Sequence, residues 1–444
     1  MPHPRTHVRS AVLATASLAA VGALVAGTTS GAVAAPPPGA TRPVVPADAP
    51  RTAFETNGGN EWTTLEQEDA FLTEVDERSD VMSLETVGTT PQGRPITLVR
   101  LGQAQDATAG EVPTSMLQCL QHGNEPAARE ACLRYVRDLA LATDKTTTKL
   151  LKKSAVLILP TANPDGRAAN TRANSEGVDI NRDHLLLQTV EAQTIARLIR
   201  DESPDTVTDV HEYGGTPGTY DRDLIYLWPR NLNVDDRTYG LARELNEVYT
   251  ERSVRDAGFT SGIYGQTLTD PPVQVAGDED ERIFRNMVGL RHVAGQLIET
   301  YTRTRPGETT ADNRNRRVNS HVAALDGAID FFDARGGVLA AQSDAAAKRA
   351  TAEGRSGKGQ FFFGGADNEA PTESQAVDAP CGYTVDAAQL AQVAQTLDLH
   401  GIETTPAAGG GAQVTMGQPA RGVIPFLLDG RAPHSPVDAV VEAC

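Results

Sequence analysis

Residues 115–125 have the sequence SMLQCLQHGNE, in which an apolar segment leads into a histidine and a glutamate. Residues 115–120 predict a strand, and residues 125–141 have the apolar periodicity of a helix. In sheets built from such units, functional side chains gather at the carboxyl ends of the strands. His122 and Glu125 could therefore point at one spot and offer a metal ion a nitrogen and an oxygen. A glutamate in the first helical turn also suits the helix dipole, so this pair alone does not establish a site.

The same interleaving of strands and helices continues along the chain. Further strands are predicted at residues 81–87, 96–101, 155–159, 206–210, 224–227 and 296–298, and further helices at 185–200 and 236–257. The run AVLIL at 155–159 has no polar residue, which is typical of a central strand covered on both faces. We therefore predict an α/β fold with a mixed, largely parallel central β-sheet sandwiched between helices.

The two ends of the chain differ from this region. Residues 1–35 contain arginines, an apolar run and a small-residue end, which predicts a secretory signal peptide cleaved near Ala34 or Ala35. A membrane anchor is the alternative, but the apolar run is short for one. Residues 36–53 are Pro-rich, as in a linker or propeptide remnant.

We expect the α/β domain to cover residues 54–303 and a smaller C-terminal α/β accessory module to cover residues 304–444. In that module a helix has an apolar face beginning at Val318, and the glycines at 336–337 are predicted to end it. No function is predicted for the module.

The net charge of -18 disfavours nucleic acid or an anionic membrane as a partner. After residue 35 no segment has the apolar length of a membrane span, so we expect a secreted protein without a membrane anchor. We also expect a monomer. The four cysteines form no CxxC pair, and in an exported chain they are disulfide candidates. We favour a bond between Cys381 and Cys444, whereas Cys119 and Cys132 could be bonded or be buried free thiols.

Three further segments carry functional side chains. NPDGR at 163–167 forms a turn after the 155–159 strand, and DVHEY at 209–213 places His211 at a strand end. His211 could be a metal ligand beside His122, or a buried structural histidine. In GVDINRD, residues 177–183, the Arg182 guanidinium could bind a substrate carboxylate or pair with a neighbouring aspartate, Asp179 or Asp183.

Together, HGNE, NPDG, GVDINRD and DVHEYG, followed by GQLIET at 295–300, resemble the zinc metallocarboxypeptidases of the carboxypeptidase A and B type, in a secreted bacterial-type form. The resemblance covers about residues 80–302. It implies that one zinc ion per chain is bound by three residues, His122, Glu125 and His211.

The resemblance also implies roles around that ion. Glu299 would be the general base, and Arg172 would polarise the scissile carbonyl, with Arg167 as the competing candidate. Asn181 and Arg182 would bind the terminal carboxylate of the substrate.

The implied reaction is hydrolysis of the last peptide bond of a peptide or protein, since a clamped terminal carboxylate leaves only that bond over the metal. Two alternatives remain open. One is a zinc amidase or peptidase of the same fold acting on cell-wall peptides. The other is a non-catalytic protein that binds C-termini, against which the intact ligand set and Glu299 argue.

Two features near the site are ambiguous. Tyr264 is a candidate for the tyrosine that covers the substrate in this family, and the alternative is a core tyrosine. The acidic run at 278–281 could favour a substrate ending in Lys or Arg, or be a solvated loop.

Overall fold

The computed structural model describes residues 42–102, 110 and 112–444. The predicted signal peptide and its cleavage position near Ala34 or Ala35 lie outside these residues. Within the described part, no helix is both long and apolar enough to cross a membrane.

The central sheet has eight strands in the described residues. They are β1 (Met82–Thr89), β2 (Pro95–Gly102), β3 (Thr114–Cys119), β4 (Ala155–Leu159), β5 (Thr206–Tyr213), β6 (Leu224–Leu227), β7 (Ser261–Ile263) and β8 (Ala294–Tyr301). Their order is β1-β2-β4-β3-β5-β8-β6-β7. The four central strands β4, β3, β5 and β8 are mutually parallel, while β1–β2, β2–β4 and β6–β8 are antiparallel. This confirms the predicted mixed, largely parallel sheet.

Helices cover the sheet. They are α1 (Ala53–Thr56), α2 (Leu65–Glu77), α3 (Pro126–Ala140), α4 (Lys145–Leu151), α5 (Pro164–Ala169), α6 (Val190–Glu202), α7 (Asp236–Glu244), α8 (Glu251–Asp256), α9 (Phe284–Leu290), α10 (Thr310–Ser356), α11 (Ala387–Leu399) and α12 (Ile424–Leu428). A π-helical turn, Leu245–Thr250, joins α7 to α8. Helix α6 begins later than the predicted residue 185 because the Thr189 hydroxyl caps it, accepting a hydrogen bond from the Ala192 N–H.

Strand β4 shows why the sheet is buried on both sides. Val156 and Ile158 pack into the core that α3 and α10 share, whereas Leu157 and Leu159 pack into the core on the opposite face, with α6 and α9. Successive side chains of a strand point to opposite faces, so an unbroken apolar run fills both cores. The prediction of a central strand covered on both faces is confirmed.

Helix α10 does not end at residues 336–337, and that prediction was wrong. It runs on to Ser356, and Gly357, with a left-handed φ of 58°, follows its end. Glycine in a helix costs about 1 kcal/mol relative to alanine, which buried packing can outweigh. Beyond the glycine pair, Leu339, Ala346 and Ala350 continue the buried face of the helix.

The remaining strands form two small sheets after α10. They are β9 (Gln360–Phe362), β10 (Ala376–Asp378), β11 (Gly382–Val385), β12 (Thr405–Pro406), β13 (Ala412–Thr415) and β14 (Val440–Glu442). Their core also includes Leu185, Met287 and Leu290 from the preceding domain. The described residues belong to one compact unit, and the division at residue 303 stays a prediction of the sequence.

Two disulfides link the chain. The predicted bond between Cys381 and Cys444 is confirmed, and it ties the C-terminus to β11. Cys119 and Cys132 are also bonded rather than free, which joins the end of β3 to α3. At the other end of the described chain, the Thr143 N–H donates to the Val44 carbonyl at 2.7 Å, so this part of the predicted linker lies against the domain.

Candidate active site

Three side chains converge at the carboxyl ends of β3 and β5. His122 and Glu125 follow β3, and His211 lies within β5. The Nδ1 atom of His122 is 2.8 Å from one oxygen of Glu125, the Nδ1 atom of His211 is 2.9 Å from the other, and the two nitrogens are 3.1 Å apart. All three residues are buried. The structure therefore brings together the three metal ligands that the resemblance implies.

This donor set suits zinc. Ligand atoms from all three residues lie within 4.8 Å of one another. Two imidazole nitrogens and one carboxylate are a typical zinc set, and three protein ligands leave a coordination position open, as catalytic sites require. Burial raises the pKa of Glu125, but the two histidines outweigh it and hold that pKa below its usual range, so the carboxylate is ionised.

The NPDG segment holds the loop that carries His122. It does not form the predicted turn but begins helix α5, which the Asn163 side chain caps. A Cβ atom on Gly123 would lie 1.9 Å from the backbone carbon of Gly166, so the two glycines permit a backbone contact that larger residues would prevent. The Asn163 side chain accepts a hydrogen bond from the Gly166 N–H and donates one to the Gln121 carbonyl. The start of α5 therefore positions the loop that carries His122.

Two carboxylates lie behind the histidines. Asp179 is 3.1 Å from the Nε2 atom of His122, and Asp209 is 3.0 Å from the Nε2 atom of His211. A carboxylate on the outer ring nitrogen fixes the orientation and tautomer of a ligating histidine. Neither role was predicted from the sequence. For Asp209 a signal existed, because residues two apart on a strand point to the same face.

Glu299 lies beside the candidate metal centre. In the register of the parallel strands β5 and β8, His211 is paired with Glu299. Burial is the main cause that raises the pKa of the Glu299 carboxyl, to about 7, and the histidines oppose it. A bound divalent cation would lower this pKa further, which favours the ionised form at neutral pH.

Arg172 lies at the centre, as predicted from the resemblance. Its guanidinium is 2.8 Å from Asp179, 3.2 Å from the Nδ1 atom of His122 and 3.7 Å from Glu125. Arg167, the competing candidate, instead donates to Asn170 at 3.5 Å. The geometry thus favours Arg172 as the arginine that could reach a group bound to the metal.

Asn181 and Arg182 have different environments. Asn181 is buried, with its Nδ2 atom 3.1 Å from the Nε2 atom of His211 and its Oδ1 atom accepting from the Phe284 N–H. Arg182 is exposed and donates to the Asn181 carbonyl. Within the described chain no carboxylate is at ion-pair distance from Arg182, so the alternative of a pair with Asp179 or Asp183 is not formed. Arg182 is therefore available for a ligand.

Tyr264 lies near Glu299. The charge of Glu299 is the largest cause that raises the pKa of the Tyr264 phenol, to about 12, followed by burial. The phenol is thus protonated at neutral pH and close to the candidate base. Tyr264 also packs against the cluster that contains Ile225, and Ile225 is paired with Glu299 in the register of β6 and β8. Its role in covering the substrate stays a prediction.

The acidic run at 278–281 is mostly engaged elsewhere. Asp280 pairs with Arg282 at 2.7 Å, Glu281 lies 3.0 Å from His434, and Glu279 accepts from the Gly365 N–H. These contacts favour the interpretation of a structural loop over that of a pocket for a basic side chain.

Helix α10 supports the centre from behind. The Nε2 atom of His321 lies 2.8 Å from the backbone carbonyl of His211. Arg317 forms an ion pair with the buried Glu212, whose other oxygen accepts from the Ala127 N–H at the start of α3. The helix therefore contacts both the strand that carries His211 and the helix that follows Glu125. The supporting roles of His321, Arg317 and Glu212 were not predicted from the sequence.

This geometry defines a class of site: a candidate centre for a divalent metal ion at the carboxyl edge of a mixed sheet. Residues 69–215 match the family model for zinc carboxypeptidases. Over these residues the chain is similar to the zinc carboxypeptidase family.

Several relatives share part of the chain. Probable carboxypeptidase 2 of Arthroderma benhamiae is 32% identical over 227 residues, which are 48% of this chain and 42% of that protein. Probable carboxypeptidase 2 of Trichophyton verrucosum is 33% identical over 189 residues, or 40% of this chain and 36% of that protein. The chain thus spans less than half the length of these curated relatives. A metallo-carboxypeptidase from Burkholderia cenocepacia is 19% identical, with a TM-score of 0.45, covering 60% of this chain and 69% of that one.

Proposed function

We propose that the protein is a secreted, zinc-dependent metallocarboxypeptidase that hydrolyses the C-terminal peptide bond of peptides or proteins, with residues 54–303 as its catalytic domain. The observation that carries this proposal is the convergence of His122, Glu125 and His211 beside Glu299. His122, Glu125 and His211 would hold one zinc ion, which when bound lowers the pKa of water and polarises a carbonyl.

Glu299 provides the acid–base step. As a carboxylate it accepts a proton from the attacking water, and as a carboxylic acid it delivers that proton to the departing amine. A carboxyl group whose pKa lies near neutral pH can do both, and burial moves the pKa of Glu299 toward that range.

The two arginines bind different groups of the substrate, one the scissile carbonyl and the other the terminal carboxylate. Arg172, held by Asp179, donates to the carbonyl oxygen as negative charge develops on it. Arg182, exposed and without an ion pair in the described chain, binds the terminal carboxylate through charge-assisted hydrogen bonds. In this proposal the buried Asn181 supports that carboxylate site, while its side chain contacts His211.

Digestion of a synthetic peptide library tests this function. Each sequence is supplied with a free and with an amidated C-terminus, and the products are identified by mass spectrometry. We expect release of single C-terminal residues, loss of that release with a chelator and recovery with zinc.

The same library tests Arg182. Peptides with a free C-terminal carboxylate should be cleaved about 10- to 100-fold faster than their amidated counterparts. The reason is that a hydrogen bond from Arg182 to a charged carboxylate contributes about 1.5–3 kcal/mol. The R182Q variant should lose this difference. Internal cleavage, or equal cleavage of acids and amides by the unchanged protein, would argue against an exopeptidase and toward a different amide substrate, such as a cell-wall peptide.

The His321→Phe variant tests the support from α10. Removing the contact to the His211 carbonyl should weaken zinc binding about 10- to 100-fold, the usual effect of losing an outer contact of a metal ligand. Zinc affinity is measured by competition with a chromophoric chelator. The matched control is His400→Phe, since His400 is also buried and its Nε2 atom also lies 2.8 Å from a backbone carbonyl, that of Leu185. Equal zinc affinity in the two variants would remove His321 from the support of the centre.

A further inference from the structure

Arg285 is a buried charge without a close anionic partner. It lies in the first turn of α9 and is only 2% exposed. One end of its guanidinium donates to the Asp278 carbonyl, while its Nε atom has no hydrogen-bond partner within the described chain. Its single ion pair there joins it to Asp278 at 4.0 Å, and that carboxylate is 66% exposed. Burying a charge so poorly compensated is costly, so the fold alone does not explain Arg285.

Other buried arginines of the same chain are paired closely. Arg129 lies 3.1 Å from Glu68, Arg137 lies 2.6 Å from Asp138, and Arg230 lies 3.2 Å from Asp367. The contrast indicates that Arg285 lacks an anion which a ligand could supply.

Contacts of the neighbouring residue place the start of α9 beside the candidate active site. The N–H of the preceding residue, Phe284, donates to Asn181, whose side chain contacts the ligand histidine His211. Burial lowers the pKa of the Arg285 guanidinium, while the charges of Asp278 and, more weakly, of Tyr264 and Glu299 oppose that effect. Asp278, whose carbonyl accepts from Arg285, directly follows Gly277. Gly277 lies against the Tyr264 ring, since a Cβ atom added to this glycine would be 3.2 Å from it.

Two guanidinium groups act electrostatically on the Tyr264 phenol. The charges of both Arg182 and Arg285 act on Tyr264, whose strongest electrostatic neighbour is Glu299. If Arg182 binds the terminal carboxylate, the second guanidinium is left for the side chain of the same terminal residue. A lysine or arginine there would meet a like charge, whereas a carboxylate would complete the missing pair.

Resting on the proposed carboxypeptidase function, we propose that Arg285 is a specificity-determining residue that binds the side-chain carboxylate of the substrate's terminal residue. The substrate class is then peptides that end in Glu or Asp. This replaces the idea that the acidic run at 278–281 selects basic residues, because Asp280 and Glu281 already have partners of their own.

The test compares kcat/KM for peptides that differ only in a terminal Glu, Gln or Lys. For the unchanged protein with zinc, we expect Glu to be released about 10- to 100-fold faster than Gln, and Lys to be the slowest of the three. The R285M variant should bring the ratio of Glu to Gln close to one. The control R291M removes an arginine that directly follows the same short helix, and it should keep the ratio of the unchanged protein.

A second measurement does not depend on a folded variant. Free glutamate, as a product, should inhibit the unchanged protein at about a tenth of the concentration required of free glutamine, or less. A ratio of Glu to Gln near one in the unchanged protein, or an unaltered ratio in folded R285M, would overturn the role of Arg285. If no peptide loses a single terminal residue, the proposed function itself fails, which is a different result from release without acid preference.

Discussion

Glu299→Gln is expected to bind zinc as the unchanged protein does, yet to release C-terminal residues roughly a hundred to ten thousand times more slowly, the range typical of a lost general base. Glutamine has nearly the shape of glutamate but cannot take up the proton of the attacking water. Glu299 is outside the group of three residues that could hold the metal, so the metal should stay. The effect should therefore fall on kcat, with little change in substrate binding.

The measurement pairs turnover of a single peptide with metal content determined by atomic absorption. Glu85→Gln is the matched control, because the Glu85 carboxylate is half exposed and its partner Arg100 keeps a second ion pair with Glu202, so the loss should contribute little. Near-normal turnover in Glu299→Gln would remove Glu299 as the base. Loss of zinc from that variant would instead indicate that Glu299 is one of the metal ligands.

The sheet was predictable because its central strands carry a strong local pattern. An apolar run such as Ala155–Leu159 has to be covered on both faces, whatever surrounds it. The three-residue strand β7 escaped prediction, since a segment that short has no period to detect. The predicted end of the long helix at residues 336–337 failed for another reason: tertiary packing beyond the glycines outweighed their local cost.

The metal ligands were predictable because their motifs occur in a characteristic order along the chain. Most of the residues that hold these ligands in place were not predictable. Asp209 could have been found, since it precedes His211 by two residues on a strand. His321 is 110 residues from the carbonyl it contacts, and nothing in its local sequence distinguishes it from an ordinary helical histidine. Arg285 is similar, because its unusual character comes from burial and from missing partners, which only the folded chain defines.

The His211→Gln variant should have the largest effect on turnover. We expect it to retain almost no zinc and to lose more than about 10^4-fold in residue release, because enzymes of this kind depend on the metal for most of their rate enhancement. With His211 gone, only His122 and Glu125 of the candidate set remain, and two ligands hold zinc weakly compared with three. Metal content by atomic absorption and release of a single peptide residue are measured on the same preparation.

Folding has to be separated from metal loss in this variant. His211 also lies 3.0 Å from the fully buried Asp209, and removing one partner of a buried pair typically costs about 3–5 kcal/mol. Urea unfolding should therefore show lower stability for His211→Gln than for His400→Gln, a buried histidine outside the centre, which should keep both its zinc and its activity. A folded His211→Gln protein that holds one zinc ion and remains active would show that β5 does not supply the third ligand, and the proposed centre would have to be abandoned.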